Sequence, residues 1–81
     1  MIKVLFFASY RERLGCGELL LNSTASTILE LKTELAERGE IWKNVLLDRK
    51  TLVAVNQTIG KESTPLSDGD EVAFFPPVTG G

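Results

Sequence analysis

The chain has 81 residues, of which 43% are hydrophobic and 25% are charged, and its formal net charge is −2. This length suffices for one small domain and leaves little room for an enclosed catalytic cleft. The basic residues are scattered and form no run that could neutralise phosphates, so we expect no nucleic-acid partner. With no histidine and a single cysteine, the sequence offers no zinc cluster, Ser-His-Asp triad or internal disulfide. The apolar stretch at residues 4–8 is too short for a signal peptide or membrane span, so we expect a cytoplasmic protein.

The first predicted strand covers residues 2–8. Its apolar residues occupy both alternating faces, which is typical of a central strand. Residues 11–17 carry charges and two glycines around Cys16, and they predict a loop or frayed turn. A second, short strand over residues 18–22 would then pair with the first as a hairpin.

The one long helix is predicted to begin at Ile28, because apolar residues recur there at helical spacing: Ile28, Leu31, Leu35 and Ala36. Thr27 as N-cap and Glu30 three residues later can form a capping box. Gly39 is the expected C-terminal stop. Residues 40–47 form a weaker segment whose Trp42 we expect in the core or at its edge.

The second half of the chain is predicted to be mostly strands. Residues 52–56 form a strand, a short edge strand lies near Ile59, and residues 71–75 form the last strand. Between them, residues 65–70 are a turn in which Gly69 takes a positive φ. Pro76-Pro77 lacks backbone donors and ends sheet pairing, so residues 76–81 are an extended tail on a domain of residues 1–75.

The predicted order is therefore β-β-α-β-(β)-β, and a single long helix covers only one face of such a sheet. Strand alternation predicts which residues face the helix: Val4, Phe6, Val72 and Phe74. The opposite face would carry Lys3, Leu5, Phe7, Glu71, Ala73 and Phe75. Exposed neighbouring aromatic residues on that face indicate a docking surface.

The last sixteen residues, LSDGDEVAFFPPVTGG, are the most informative segment. Together with VLFFA at residues 4–8, Arg11-Glu12 and AVNQ at residues 54–57, they resemble the small subunit of molybdopterin synthase. A Gly-Gly end alone is common in unrelated chains. Its combination with Pro-Pro, an aromatic strand, this chain length and this element order is specific.

The resemblance implies an α+β, ubiquitin-like β-grasp fold and a protein that is not catalytic alone. An activating enzyme similar to ubiquitin-activating enzymes would adenylate the Gly81 carboxylate with ATP, and a sulfur donor protein would convert it to a thiocarboxylate. The tail would then enter the large synthase subunit, within a heterotetramer, and give its sulfur to a cyclic pyranopterin phosphate. That step builds the dithiolene of the molybdenum cofactor. The chain itself would bind no cofactor or metal.

Two groups of residues are the candidates for this role. Gly81 supplies the reacting carboxylate, and Gly80 lacks a Cβ and passes a narrow channel. The expected partner-binding residues are Phe7, Arg11, Ile59, Phe75, Pro76, Pro77, Val78 and Thr79. The six tail residues reach about 20 Å when extended, at roughly 3.1 to 3.5 Å per residue, which is enough to enter a buried site.

Several alternatives stay open at this point. Cys16 could itself carry sulfur as a persulfide, although a loop cysteine with no role explains it as well. A sulfur carrier of thiamine biosynthesis shares the fold and tail but is generally shorter and lacks the Phe-Phe-Pro-Pro run. A protein modifier, with Gly81 joined to lysines, or a pure interaction module needs no sulfur. The acidic residues near Asp68 fit turn geometry better than metal binding.

Overall fold

The computed structural model describes residues 1–77, which form five strands and three helices. In chain order these are β1 (Ile2–Phe6), α1 (Ser9–Leu14), β2 (Glu18–Leu21), α2 (Ile28–Ala36), α3 (Glu40–Leu46), β3 (Leu52–Val55), β4 (Thr58–Ile59) and β5 (Glu71–Phe75). In this part of the chain, no helix is long and apolar enough to cross a membrane.

The five strands form one mixed sheet in the order β2-β1-β5-β3-β4. The first and last strands are parallel neighbours at its centre, and every other pairing is antiparallel. A sheet with β1 beside β5 and a helix packed across it is the ubiquitin-like β-grasp fold. The predicted fold class is therefore confirmed.

The core lies between the sheet and the helices. All four residues predicted to face the helix are at most 1% exposed: Val4, Phe6, Val72 and Phe74. The rings of Phe6 and Phe74 stack 5.9 Å apart, and Trp42 meets Phe6 edge-on at 5.5 Å. Trp42 is half-buried, which confirms its predicted place at the core edge. The inner layer is completed by apolar residues of α2 and α3: Ile28, Leu31, Leu35, Val45 and Leu46.

The prediction of a loop over residues 11–17 is wrong, because α1 covers most of it. The helix places Tyr10 and Leu14, four residues apart, against the core and leaves its charged residues outside. The Tyr10 hydroxyl also bonds to the Thr51 hydroxyl at 2.7 Å, which anchors the helix. Gly15 ends it in the left-handed conformation at φ 65°. An apolar stripe of two residues was too short to stand out among the charges.

The start of α2 is close to the prediction, whereas its end is not. The Thr27 hydroxyl accepts the Glu30 backbone N–H at 3.2 Å, as expected of an N-cap. The Glu30 carboxylate reaches back to the Ser26 N–H at 3.0 Å, one residue earlier than a standard capping box. The helix ends at Ala36, before Gly39, which is the N-cap of α3. Gly39 is thus a start signal and not the predicted stop.

The turns of the sheet follow local backbone chemistry. Gly69 has φ 91°, and β5 covers residues 71–75, both as predicted. The predicted edge strand is β4, which joins β3 through a tight turn with positive φ at Asn56 and Gln57. The first strand ends two residues earlier than predicted, at Phe6, since Ala8 adopts a positive φ of 54° to begin α1.

Candidate functional site

The outer face of the sheet, opposite the helices, is apolar over most of its width. Paired residues place their side chains on the same face, so the register defines its rows. Leu5 pairs with Ala73, Ala54 pairs with both Ala73 and Ile59, and Leu52 pairs with Phe75. We define the outer apolar surface as Leu5, Phe7, Leu52, Ala54, Ile59, Ala73 and Phe75. These side chains form a continuous band across four strands.

Residues of the outer apolar surface are more exposed than those of the core. Phe7 is 48% exposed and Ile59 is 68% exposed, while Phe75 is half-buried. The Phe7 backbone N–H donates to the Phe74 carbonyl at 3.2 Å, so Phe7 continues the β1–β5 register and lies beside Phe75. The structure thus brings the three predicted docking residues onto one face, and adds Leu52, which is 38% exposed. Leu52 was missed because its register with β5 cannot be read from the sequence.

Arg11 lies at the edge of this surface, on α1. It lines a shallow pocket together with Leu5, Phe7 and Glu18. Gly17 allows the Arg11 side chain to lie close to the backbone, because a Cβ there would lie 3.1 Å from the Arg11 Nε and the side chain would have to shift. The guanidinium stem therefore packs over Gly17. Arg11 stands next to Phe7, as expected, with its charge available to a partner.

Lys3 and its pair Glu71 bound the outer apolar surface at the end of β1 opposite Phe7, and Glu18, which pairs with Leu5 on β2, reaches back to Lys3. The Lys3 ammonium lies 3.6 Å from the Glu18 carboxylate and 3.9 Å from that of Glu71. All three side chains are at least one-third exposed, and such pairs contribute little to stability. Lys3 and Glu71 mark this end of the outer face as solvated. The outer apolar surface therefore occupies the other end, where the chain leaves β5.

The tail begins at the apolar end of the outer face. Phe75 is the last residue of β5, Pro76 is half-buried and Pro77 is exposed. The predicted tail residues Val78, Thr79, Gly80 and Gly81 lie outside the described residues. The described chain therefore places the start of the tail directly beside Phe7 and Leu52, which is where a partner covering the outer apolar surface would meet it.

Cys16 occupies a defined position after α1. It is half-buried, its backbone N–H donates to the Arg11 carbonyl at 3.2 Å, and its thiol donates to the Glu18 carbonyl at 3.2 Å. These contacts lock a short connection between a helix and a strand. They give the residue a structural role that needs no sulfur-transfer chemistry.

A second cleft lies on the helical side of the sheet. Lys32 of α2 is 6% exposed and lies 3.6 Å from the Glu62 carboxylate, with Arg49 and Lys61 also lining the cleft. The ion pair joins α2 to the chain after β4. Within residues 1–77, no group of three or more His, Cys, Asp or Glu side chains is arranged to hold a metal ion.

Comparison with known proteins gives consistent results. The ThiS family model matches residues 4–81. A protein from Escherichia coli (strain K12), the molybdopterin synthase sulfur carrier subunit, is 49% identical over 81 residues, covering 100% of both chains.

Solved structures agree with the fold. A complex of subunits 1 and 2 of the molybdopterin-converting factor from Helicobacter pylori contains a chain with a TM-score of 0.69 and 30% identity, covering 99% of this chain and 97% of that one. The small archaeal modifier protein 1 from Methanosarcina acetivorans has a TM-score of 0.80 and 26% identity, covering 99% of this chain and 95% of that one.

Proposed function

The chain belongs to the ThiS family, and we propose that it is the sulfur-carrier subunit of a molybdopterin synthase. The observation that carries this proposal is the 49% identity, over the full length of both chains, to the Escherichia coli protein of that name. The thiamine-pathway alternative has no comparable support among these relatives. A cytoplasmic location stays a prediction.

In the proposed chemistry, the Gly81 carboxylate attacks the α-phosphate of ATP, and the acyl-adenylate forms with release of pyrophosphate. A carboxylate resists nucleophilic attack, whereas the adenylate carries a good leaving group. A persulfide on the sulfur donor then displaces AMP and forms an acyl disulfide with Gly81. A second thiol, acting as the two-electron reductant, cleaves the S–S bond, which leaves a thiocarboxylate on Gly81 and a disulfide on the donor. The thiocarboxylate sulfur is a polarisable nucleophile suited to attack on an electrophilic carbon of the cyclic pyranopterin phosphate. Water then hydrolyses the resulting thioester, which returns the Gly81 carboxylate and leaves the sulfur on the pterin. Two such transfers complete the dithiolene of the molybdenum cofactor.

The body of the protein would provide the docking energy. Ordering a free backbone costs roughly 1 to 2 kcal/mol per residue, so a six-residue tail alone is a weak ligand. The outer apolar surface adjoins the start of the tail, and its exposed side chains would be covered by the large subunit, with Arg11 as a polar contact at the rim. The Helicobacter pylori complex of subunits 1 and 2 supports a partner of this kind. An adenylating enzyme and a sulfur donor protein are the further proposed partners.

Deletion of Gly81 separates docking from chemistry. The shortened protein should fold and bind the large subunit with unchanged affinity, yet give no pterin conversion, because the reacting group is displaced by a residue's length. Replacement of Gly80 by a bulky residue should impair activation or transfer because its side chain would meet the channel wall. Thermal unfolding, affinity and pterin conversion would be measured on the same preparations. Full conversion by the protein lacking Gly81 would rule out the proposed role of the tail.

A protein modifier is the second candidate, and the likeness to small archaeal modifier protein 1 favours considering it. In that role Gly81 would form an isopeptide bond with a lysine of another protein. The intact mass of the protein isolated from cells separates the two functions. A sulfur-for-oxygen exchange supports the carrier, whereas larger conjugates that disappear on deletion of Gly81 support the modifier.

A further inference from the structure

The free edge of the sheet at β2 presents backbone groups without a strand beside them. Within the described sheet, β2 pairs only with β1. The Lys3 N–H donates to the Asp70 carbonyl towards β5, while the Phe6 N–H donates to the Gly17 carbonyl towards β2. In β2, alternate residues therefore bond to β1, and these are Leu19 and Leu21. The N–H and C=O of Leu20 consequently point away from the sheet.

The side chains along this edge are apolar and lack the usual protection. Natural edge strands are commonly blunted by lysine, proline or a bulge, and β2 consists of Glu18 followed by three leucines. Leu20 is 61% exposed on the outer face, and its two neighbours are half-buried on the inner face. The single charge of the strand, on Glu18, is compensated by Lys3 at 3.6 Å. The edge is therefore suited to pairing with another strand.

We propose that β2 pairs antiparallel with β2 of a second copy of this chain, with Leu20 opposite its own counterpart across a two-fold axis. The two Leu20 residues would exchange both backbone hydrogen bonds. In this register Leu19 faces Leu21 of the other copy, so apolar residues meet on the inner face. On the outer face Glu18 faces Asn22, which pairs a carboxylate with an amide donor. Every opposed pair is thus complementary, as a closed two-fold interface requires.

The alternative registers are disfavoured by the same residues. A pairing centred on Glu18 would oppose two carboxylates, which destabilises a strand pair. Centres at Leu19 or Leu21 would be non-hydrogen-bonded pairs, and they would place Leu20 opposite Glu18 or Asn22, so an apolar side chain would face a polar one. The Cys16 thiol donates to the Glu18 carbonyl on this edge, and the second lone pair of that carbonyl remains for Asn22. The sequence therefore selects one register.

The paired form would be a continuous sheet of ten strands, five from each copy. The outer apolar surface lies mainly on β5, β3 and β4, beyond β1 from this edge, so it and both tails would stay accessible. The proposal does not depend on the proposed sulfur-carrier function. One short strand buries far less than about 1,200 Å², so the association should be weak, with a midpoint between about 10 μM and about 1 mM.

Amide hydrogen exchange tests the register directly on the full chain. As protein concentration rises through this range, exchange of the Leu20 amide should slow by about tenfold or more, since it gains a hydrogen bond. The amides of Leu19 and Leu21, already bonded to β1, should change little. If exchange slows at the amides of Phe7 or Ile59 and not at that of Leu20, the copies associate through the outer apolar surface. That result would overturn the proposal.

Sedimentation velocity on paired variants tests the interface. Leu20→Lys should weaken self-association about tenfold or more, because it opposes two cations and removes an apolar contact. Leu29→Lys is the matched control, since Leu29 is 46% exposed on α2, away from the edge, and should leave the dimer unchanged. Unchanged thermal unfolding of both would verify folding. A protein that stays monomeric at 1 mM, or a dimer that persists in Leu20→Lys, would overturn the proposal.

Discussion

The two faces of the central strands differ although they alternate residue by residue. Phe6 and Phe74 are at most 1% exposed beneath the helices, whereas their neighbours Phe7 and Phe75 lie on the outer face, where Phe7 is 48% exposed. In each pair the two phenylalanines are one residue apart, Phe74 and Phe75 within β5 and Phe6 and Phe7 at the end of β1 and directly after it. The difference therefore lies only in what covers each face.

This contrast assigns stability of the fold to the inner face and partner recognition to the outer face. The inner face of β1 and β5 is covered by the protein's own helices, so its residues stabilise the fold. Much of the outer face is apolar and adjoins the start of the tail, so its residues are available to a partner. A small domain has little stability to spare. Substitutions on the two faces should consequently give opposite patterns of unfolding and binding.

The largest effect is expected on the free energy of unfolding, from a substitution on the inner face. Phe74→Ala should lower the free energy of unfolding by about 3 to 5 kcal/mol, because it removes a buried ring stacked on Phe6 and leaves a cavity. Chemical denaturation would measure this loss. Phe75→Ala is the matched control one residue along and should cost much less. Equal losses for the two variants would break the distinction between the faces.

The next largest effect is expected on affinity for the large subunit, from substitutions on the outer face. Phe7→Glu or Phe75→Glu should weaken affinity for the large subunit ten- to a hundredfold, since an apolar contact of roughly 1.5 to 3 kcal/mol is lost. Thermal unfolding should change little, and calorimetry would measure affinity. Leu29→Glu provides a control for adding a charge at an exposed leucine elsewhere. Unchanged affinity in folded Phe7 and Phe75 variants would contradict the docking role.

A smaller effect is expected at α1, which joins the two faces. Tyr10→Phe should lower the free energy of unfolding by about 0.5 to 1.5 kcal/mol, because it removes the hydrogen bond to Thr51 while keeping the ring buried. Arg11→Ala, the adjacent exposed change, should reduce partner affinity and leave unfolding unchanged. A stability loss with Arg11→Ala larger than that with Tyr10→Phe would show that α1 is held mainly from its outer side.

The smallest effect is a pH dependence of stability, and it involves residues that lie on neither face of the sheet. The protonated amino group of Met1 bonds to the Asp68 carboxylate and holds the pKa of that side chain below its usual value. The ion pair therefore stabilises the fold above the ordinary aspartate pKa, and this stabilisation is lost as the pH falls through the lowered value. Both groups are exposed, so the contribution is small. Asp68→Asn should be slightly less stable than the parent at neutral pH, and urea unfolding should show that gap closing in acid.

The sequence predicted both sheet faces because period-two alternation is strong in β1 and β5, whereas the fold class followed from the family resemblance. The aromatic pairs made the assignment unambiguous, and the N-cap at Thr27 was also correct. The prediction failed where tertiary contacts decide local structure. Residues 9–14 form a helix because Tyr10 reaches the core and bonds to Thr51, a contact 41 positions away that no local pattern reveals.

The candidate site was predictable in part for the same reason. Phe7 and Phe75 follow from alternation within their own strands, whereas Leu52 enters the outer apolar surface only through its pairing with Phe75. That register is set by long-range contacts. The roles of Gly80 and Gly81 rest on the family resemblance and stay predictions, since these residues lie outside the described part of the chain.

The most direct measurement is the intact mass of the protein after incubation with its activating enzyme, ATP and a sulfur source. We predict an increase equal to the exchange of one oxygen for one sulfur, located on Gly81 by fragmentation and unchanged in Cys16→Ser. An increase that maps to Cys16 and disappears in the serine variant would contradict the account.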